Sequence, residues 1–181
     1  EGLGRPGMGT TLTAAVIEED DLLVAQVGDS RAYLLHDGKL QQLTRDHSLM
    51  EELVSSGQIT EEEARYHPNR SIITRALGSD PTVQPDLYEL QVSAGDRLLL
   101  CSDGLSGMLE PEELERILAS DEDPQRVADK LVDAANEAGG FDNITVLIVD
   151  IDIVRPRMEQ KRKRHFRIGI ISFLLVFLLL S

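Results

Sequence analysis

The sequence predicts an α+β fold built on antiparallel β-sheet, and three observations lead to that prediction. Strand-like segments joined by short turns fill the first quarter of the chain, another strand-like segment ends at Cys101, and helix-like segments are grouped behind it. Runs of strands followed by runs of helices are typical of α+β folds. The 181 residues are enough for one domain with its own hydrophobic core.

Four strands are predicted near the beginning of the chain. They are rich in aliphatic and β-branched side chains, and they cover residues 10–17, 22–27, 32–35 and 40–43. Short acidic or glycine-containing turns separate them, which predicts hairpins of an antiparallel sheet. The sequence Gly28-Asp29-Ser30-Arg31 lies between the second and third strands and separates them.

Residues 46–80 are predicted to form an insertion of short helices between strands. A helical pattern covers residues 49–56, and Thr60 and Glu63 predict a capping box for a second short helix over residues 61–66. Insertions carried by a rigid scaffold often cover an active site. His47 is either a metal ligand or acid catalyst, or an ordinary histidine of a polar loop.

Two strands and two helices are predicted from residue 83 onward, in addition to the segment that ends at Cys101. A strand is predicted over residues 83–92, and proline in the first turn predicts helices that begin at Pro111 and Pro124. Gly139 and Gly140 end the second of these helices, and residues 144–151 form the last predicted strand.

Two aspartates lie at the ends of predicted core strands. Asp103 follows the apolar run Leu98-Leu99-Leu100-Cys101, with Gly104 available for a sharp turn, and Asp142 precedes the last strand. Carboxylates held at strand ends are suitable ligands for a hard divalent cation. The alternative is structural, because Asp-Gly is common in turns and Asp-Asn in loops and caps.

The charge of the chain is unevenly distributed. Of its 18 basic and 32 acidic residues, seven basic residues and one acid lie from residue 155 onward, so the first 154 residues carry a net charge of −20. A surface of this sign repels nucleic acid, and we expect no nucleic-acid partner. It suits divalent cations, although solubility alone is a common reason for an acidic surface.

The C-terminal residues predict a membrane attachment. The uninterrupted apolar run covers residues 168–180, and a basic cluster at residues 161–164 precedes it. Thirteen residues also suit a core or interfacial helix, but a run without a cap indicates the start of a transmembrane helix over residues 168–181, behind a basic juxtamembrane linker at 153–167. The basic flank predicts a single-pass cell-membrane protein whose domain is cytoplasmic. The single cysteine agrees with a reducing compartment.

Six motifs, taken together and in order, resemble those of the metal-dependent, type 2C serine/threonine phosphatases of bacteria. They are Met8-Gly9-Thr10-Thr11, Val27-Gly28-Asp29-Ser30-Arg31, Thr44-Arg45-Asp46-His47, Ile73-Thr74-Arg75-Ala76-Leu77-Gly78, Cys101-Ser102-Asp103-Gly104-Leu105 and Asp142-Asn143-Ile144-Thr145. Each motif alone is weak, whereas six in this order are highly specific. The resemblance covers residues 1–152.

This resemblance implies a four-layer sandwich of two antiparallel sheets flanked by helices, with residues 46–80 as a flap-like insertion. It implies two Mn²⁺ or Mg²⁺ ions, with Asp103 and Asp142 among their ligands, and Asp29 as a ligand of a third ion. The implied reaction is hydrolysis of phosphoserine and phosphothreonine on proteins, serine/threonine kinases included, by a metal-activated water. The alternative cysteine mechanism would place an arginine at position 107, where a glycine stands.

The sequence departs from the family pattern at its beginning. An arginine that holds the phosphate and an Asp-Gly pair that bridges two metal ions precede these motifs in the family, and they have no counterpart in this chain. The chain begins at Glu1 in a loop-like stretch, which is expected of a fragment whose sandwich is incomplete at the N-terminus. Two other functions therefore stay open, namely a catalytically inactive, membrane-tethered pseudo-phosphatase that senses or scaffolds, and a structural membrane scaffold.

Overall fold

The computed structural model describes residues 8–152, which contain seven strands and five helices. The strands are β1 (Leu12–Glu18), β2 (Asp21–Val27), β3 (Arg31–His36), β4 (Lys39–Gln42), β5 (Asp86–Gln91), β6 (Arg97–Cys101) and β7 (Val146–Asp150). The helices are α1 (Leu49–Ser55), α2 (Glu61–Arg65), α3 (Asp103–Ser106), α4 (Pro111–Leu118) and α5 (Pro124–Glu137).

The strands form two antiparallel sheets, in the orders β1-β2-β5 and β4-β3-β6-β7. The first four strands are antiparallel as predicted, but their two hairpins belong to different sheets. The chain crosses from one sheet to the other at Gly28–Ser30. Gly28 has φ +106°, and a Cβ there would lie 2.3 Å from the Thr11 side chain. Glycine is therefore required for this crossover.

Alternating side chains of the four-stranded sheet feed two hydrophobic cores. Ala32 and Leu34 of β3 point toward the three-stranded sheet, whereas Tyr33 and Leu35 point toward the helices. This division follows from the two-residue period of a strand. Helices α3, α4 and α5 cover the second face of the sheet, and the core there includes Leu105, Leu114 and Leu131.

The described residues form three of the four layers that were predicted. Helices flank the four-stranded sheet, but the outer face of the three-stranded sheet carries the exposed side chains of Leu12, Val16 and Leu87. A fourth, helical layer on that face is not part of residues 8–152.

The insertion at residues 46–80 is helical only in its first half. Helices α1 and α2 are present, and the capping box between Thr60 and Glu63 is confirmed. The rest of the segment is irregular and is held by isolated bridges from Ser48 to Ile73 and from Thr10 to Leu77. The bridge from Ser48 to Ile73 closes the insertion on itself, and the bridge from Thr10 to Leu77 connects it to the first motif of the chain.

The predicted basic linker at 153–167 and membrane helix at 168–181 lie outside the described residues. Within residues 8–152, no helix has the length and apolar character needed to cross a membrane.

Candidate metal centre

The structure places all three predicted metal-binding aspartates around one cavity of about 550 Å³. Asp29 comes from the crossover between the sheets, Asp103 is the first residue of α3, and Asp142 lies in the loop between α5 and β7. Three segments that are distant in sequence therefore deliver carboxylates to the same cavity.

The segments that carry Asp103 and Asp142 are in direct contact. Gly104 was expected to permit a sharp turn, but it lies in a helix without a positive φ. It is instead required for close approach, because a Cβ there would lie 2.4 Å from the backbone oxygen of Asn143. The spacing between the two carboxylate-bearing segments therefore depends on the absence of a side chain at position 104.

The Ser102 hydroxyl connects the same two segments. Its Oγ donates a hydrogen bond to the Asn143 carbonyl oxygen at 3.0 Å and accepts one from the Thr145 amide at 3.0 Å. The Ser102 amide also donates to the Thr145 carbonyl oxygen. This hydroxyl fixes the segment that carries Asp103 against the segment that carries Asp142, and sequence reasoning did not identify it.

Burial and neighbouring charges raise the pKa values of two carboxyl groups of the cavity. Burial, followed by the charge of Asp103, raises the pKa of Asp29 from 3.8 to about 6. Burial and then the Asp142 charge raise the pKa of Asp103. Carboxylates that destabilise one another in this way are stabilised when a cation enters between them.

The carboxylates do not form a complete metal site on their own. Across residues 8–152, no group of three or more His, Cys, Asp or Glu side chains is close enough together to hold a metal ion. The donor set itself fits a hard cation, since it consists of carboxylate oxygens. Further ligands would have to come from outside the described residues.

A bidentate ion pair lies in the cavity wall beside these aspartates. Arg31 donates through Nε and Nη2 to the Asp46 carboxylate, with distances of 2.7 to 3.0 Å, and through Nη1 to the Tyr33 hydroxyl. Both residues lie in motifs that had been recognised, but no role had been given to either. Paired in this way, Arg31 neutralises Asp46 and cannot offer its Nε to a ligand.

The segment at residues 46–80 supplies another wall of the cavity. Arg65 of α2 forms an ion pair with Glu110 at 2.7 Å and donates to the Leu109 carbonyl oxygen, which joins the insertion to the start of α4. Arg70 also lines the cavity, and among residues 8–152 it has no ion-pair partner. A free guanidinium in a cavity with aspartates is suited to an anionic ligand.

Two other candidate residues do not line the cavity. Cys101 is buried in β6, and burial raises the pKa of its thiol to about 12, as suits the predicted buried strand residue. His47 is 7% exposed, does not line the cavity, and has both ring nitrogens within hydrogen-bonding distance of protein atoms. These contacts leave neither nitrogen available to a metal ion.

Comparison with known proteins yields a consistent set of matches. The family model described as protein phosphatase 2C matches residues 6–138. The chain is similar to the serine/threonine phosphatase stp of Listeria monocytogenes, with 46% identity over 149 residues that cover 82% of this chain and 59% of the relative.

Solved structures give the same result. The serine/threonine phosphatase PstP/Ppp of Mycobacterium tuberculosis is 45% identical, with a TM-score of 0.77 over 81% of this chain and 61% of that one. The catalytic domain of the phosphatase PstP in complex with two manganese ions is 42% identical, with a TM-score of 0.74 over 81% of this chain and 60% of that one. The chain thus spans about three-fifths of each of these proteins.

Proposed function

The chain belongs to the protein phosphatase 2C family, and on that premise we propose that it contributes the metal-binding cavity of a serine/threonine protein phosphatase. The proposed reaction is metal-dependent hydrolysis of phosphoserine and phosphothreonine on proteins. The observation that carries the proposal is the convergence of Asp29, Asp103 and Asp142 on one cavity.

We assign the metal ligands from this geometry. Asp103 and Asp142 would hold two Mn²⁺ or Mg²⁺ ions, together with ligands from outside residues 8–152, and Asp29 would hold a third. When bound, such ions lower the pKa of a coordinated water and polarise the phosphoryl oxygens. The raised pKa values of Asp29 and Asp103 support this assignment, because burial and then mutual repulsion disfavour their ionised forms, and a bound cation would stabilise those forms.

Other residues of the cavity would bind and orient the phosphoprotein. The Arg70 guanidinium is available to pair with a phosphate or an acidic side chain of the substrate. Phe141 lies next to Asp142 with 79% of its surface exposed, and it offers an apolar contact at the cavity mouth. Arg31 and Asp46 keep the wall beside the aspartates rigid through their bidentate pair.

The deciding experiment is Asp103→Asn in the full natural protein. This change removes a metal-binding charge without altering side-chain volume, so turnover of a phosphothreonine peptide should fall by orders of magnitude while the thermal midpoint of the metal-free protein is unchanged or higher. Asp133→Asn is the matched control, because Asp133 is exposed on α5 and does not line the cavity. Near-wild-type turnover of the Asp103 variant in saturating Mn²⁺ would contradict the proposal. A wild-type protein that binds the peptide without hydrolysing it would instead be an inactive sensing module.

We also propose the surroundings in which this phosphatase acts. Its substrates would be phosphorylated proteins, including serine/threonine kinases, and its C-terminal residues 153–181 would attach it to the cell membrane with the catalytic domain in the cytoplasm. The basic cluster at residues 161–164 and the apolar run that follows support this arrangement. An integral anchor should withstand high salt and alkaline wash and be released by detergent, whereas release by salt alone would leave at most a surface attachment.

The remaining layer of the sandwich belongs to the same proposal. The exposed apolar side chains of Leu12, Val16 and Leu87 would be covered by helices in the full protein. Burial of such side chains stabilises a domain by about 25 cal/mol for each Å² of apolar surface.

A further inference from the structure

His47 is a buried ionisable residue that the proposed reaction does not use. It lies between β4 and α1, and its side chain is 7% exposed. Three segments surround it, namely the crossover that carries Asp29, the second half of the insertion, and the start of β5. A buried histidine needs hydrogen-bond partners for its ring nitrogens, and the partners of His47 indicate its role.

The hydrogen bonds determine which ring nitrogen carries the proton. The Gly28 amide donates to Nδ1 at 3.0 Å, so Nδ1 is an acceptor and has no proton. Nε2 lies 3.1 Å from Oδ2 of Asp86 and 2.9 Å from Nη1 of Arg75. Because a guanidinium has no acceptor, and because Nδ1 has no proton, the Nε2 proton is donated to the Asp86 carboxylate. Arg75 donates to the other oxygen of Asp86, Oδ1, at 2.6 Å. The imidazole is therefore neutral, and its orientation is set at both ends.

Gly28 is the residue that this arrangement holds. Its amide donates to the His47 ring, and its carbonyl oxygen accepts from the His47 amide at 2.9 Å and from the Gln26 side chain at 2.9 Å. Both polar groups of the Gly28 backbone are thus bonded immediately before Asp29. The backbone that leads into the Asp29 carboxylate has little freedom to shift while these bonds last.

We propose that His47 is a positioning residue for Asp29, and that it fixes the Asp29 carboxylate in the metal cavity by accepting the Gly28 amide. This inference rests on the proposed function, because the proposed function assigns Asp29 as a metal ligand. The same histidine also joins the beginning of the insertion to its second half, because its carbonyl oxygen accepts from the Thr74 amide at 2.8 Å.

Two substitutions distinguish the contribution of Nδ1 from that of Nε2. In His47→Asn the amide oxygen takes approximately the place of Nδ1, so the acceptor for the Gly28 amide is kept and the contact with Asp86 is lost. In His47→Gln the longer side chain reaches toward Asp86, and the acceptor for Gly28 is lost. His67→Gln is the control, because His67 lies in the insertion and its Nδ1 contacts only its neighbour Asn69 among the described residues.

The first readout is Mn²⁺ affinity, measured by titration calorimetry on the full protein. Residues that orient a metal ligand typically change metal affinity by 10- to 100-fold when they are replaced. We expect His47→Gln to weaken binding of the Asp29-held ion about tenfold, with turnover in saturating Mn²⁺ little changed, whereas His47→Asn and His67→Gln should stay close to wild type. A merely structural role predicts instead that the Asn and Gln variants lose affinity together.

The second readout does not depend on a metal ion. Hydrogen–deuterium exchange at the Gly28 amide should accelerate about tenfold or more in His47→Gln and stay near the wild-type rate in His47→Asn, because a lost hydrogen bond exposes the amide to exchange. Equal exchange in the two variants would overturn the inference. Failure of the wild-type protein to bind Mn²⁺ would overturn the proposed function, and the exchange rates would still show whether His47 holds the Gly28 backbone.

Discussion

Replacement of Gly104 by alanine tests how the two principal aspartates are spaced. The added Cβ would lie 2.4 Å from the Asn143 carbonyl oxygen and 2.9 Å from its carbonyl carbon. Both atoms belong to the backbone, so no side-chain rotation can relieve the clash. Ordinary contact begins at 3.4 Å, and the segments that carry Asp103 and Asp142 must therefore separate by about 1 Å.

This displacement acts directly on the proposed metal centre. A misplacement of about 1 Å in a catalytic constellation can cost about 100-fold in rate, and we expect a loss of that order in Mn²⁺-dependent turnover. The overpacking should also lower the free energy of unfolding by about 1–3 kcal/mol. Mn²⁺ affinity should fall with the turnover, because both depend on the same spacing.

The assay is Mn²⁺-dependent hydrolysis of a phosphothreonine peptide by the full protein, together with urea unfolding. Gly9→Ala is the control, because a Cβ at Gly9 would make only ordinary contacts of 3.5 Å with Ala76 and Leu77 and the position has no positive φ. Wild-type turnover and Mn²⁺ affinity in Gly104→Ala would refute the reasoning, since the loops would then have separated without disturbing a metal centre.

Three further predictions concern Ser102, Asp29 and Cys101. Ser102→Ala should weaken Mn²⁺ binding about tenfold by releasing the bonds to Asn143 and Thr145, while Ser102→Thr, which keeps the hydroxyl, should bind more like wild type; equal losses would show that the hydroxyl is irrelevant. The pKa of Asp29 is raised to about 6, so folding favours the neutral carboxyl group in the metal-free protein. The stability that this carboxyl group contributes is fully present below its ordinary pKa of 3.8 and is lost as the pH rises through about 6. Mn²⁺ requires the ionised form, so calorimetry should show binding of the Asp29-held ion about tenfold weaker at about pH 5 than at about pH 7, and equal affinity would count against this ligand. Cys101, whose thiol has a pKa of about 12, should resist iodoacetamide in the native protein at neutral pH, and Cys101→Ser should retain turnover; rapid alkylation, or loss of activity with the fold intact, would restore the cysteine mechanism.

The strands and the longer helices could be predicted because their signals are local. Alternation and glycine-containing turns located β1 to β4, and proline in the first turn located the starts of α4 and α5 at Pro111 and Pro124. Helix α3 was missed because four residues are too few to show a helical period. The division of the first four strands between two sheets was also hidden from this local reading, since a crossover and a hairpin turn both use glycine and short polar residues.

The candidate carboxylates were found in the sequence, but the residues that hold them together were not, and the reason is electrostatic. Carboxylates brought near one another repel, and this repulsion adds to burial in raising the pKa values of Asp29 and Asp103. The metal-free fold must oppose this repulsion with bonds between the loops that carry the charges.

Each of those bonds joins two different motifs. The Gly28 amide is bonded to His47, Arg31 is paired with Asp46, and Ser102 is bonded to Asn143 and Thr145. A motif considered alone contains only half of such a bond, which is why each of them is a weak signal by itself. The whole set is specific because the motifs supply hydrogen-bond and ion-pair partners to one another. We therefore expect substitution of one partner to displace an aspartate with which it makes no direct contact.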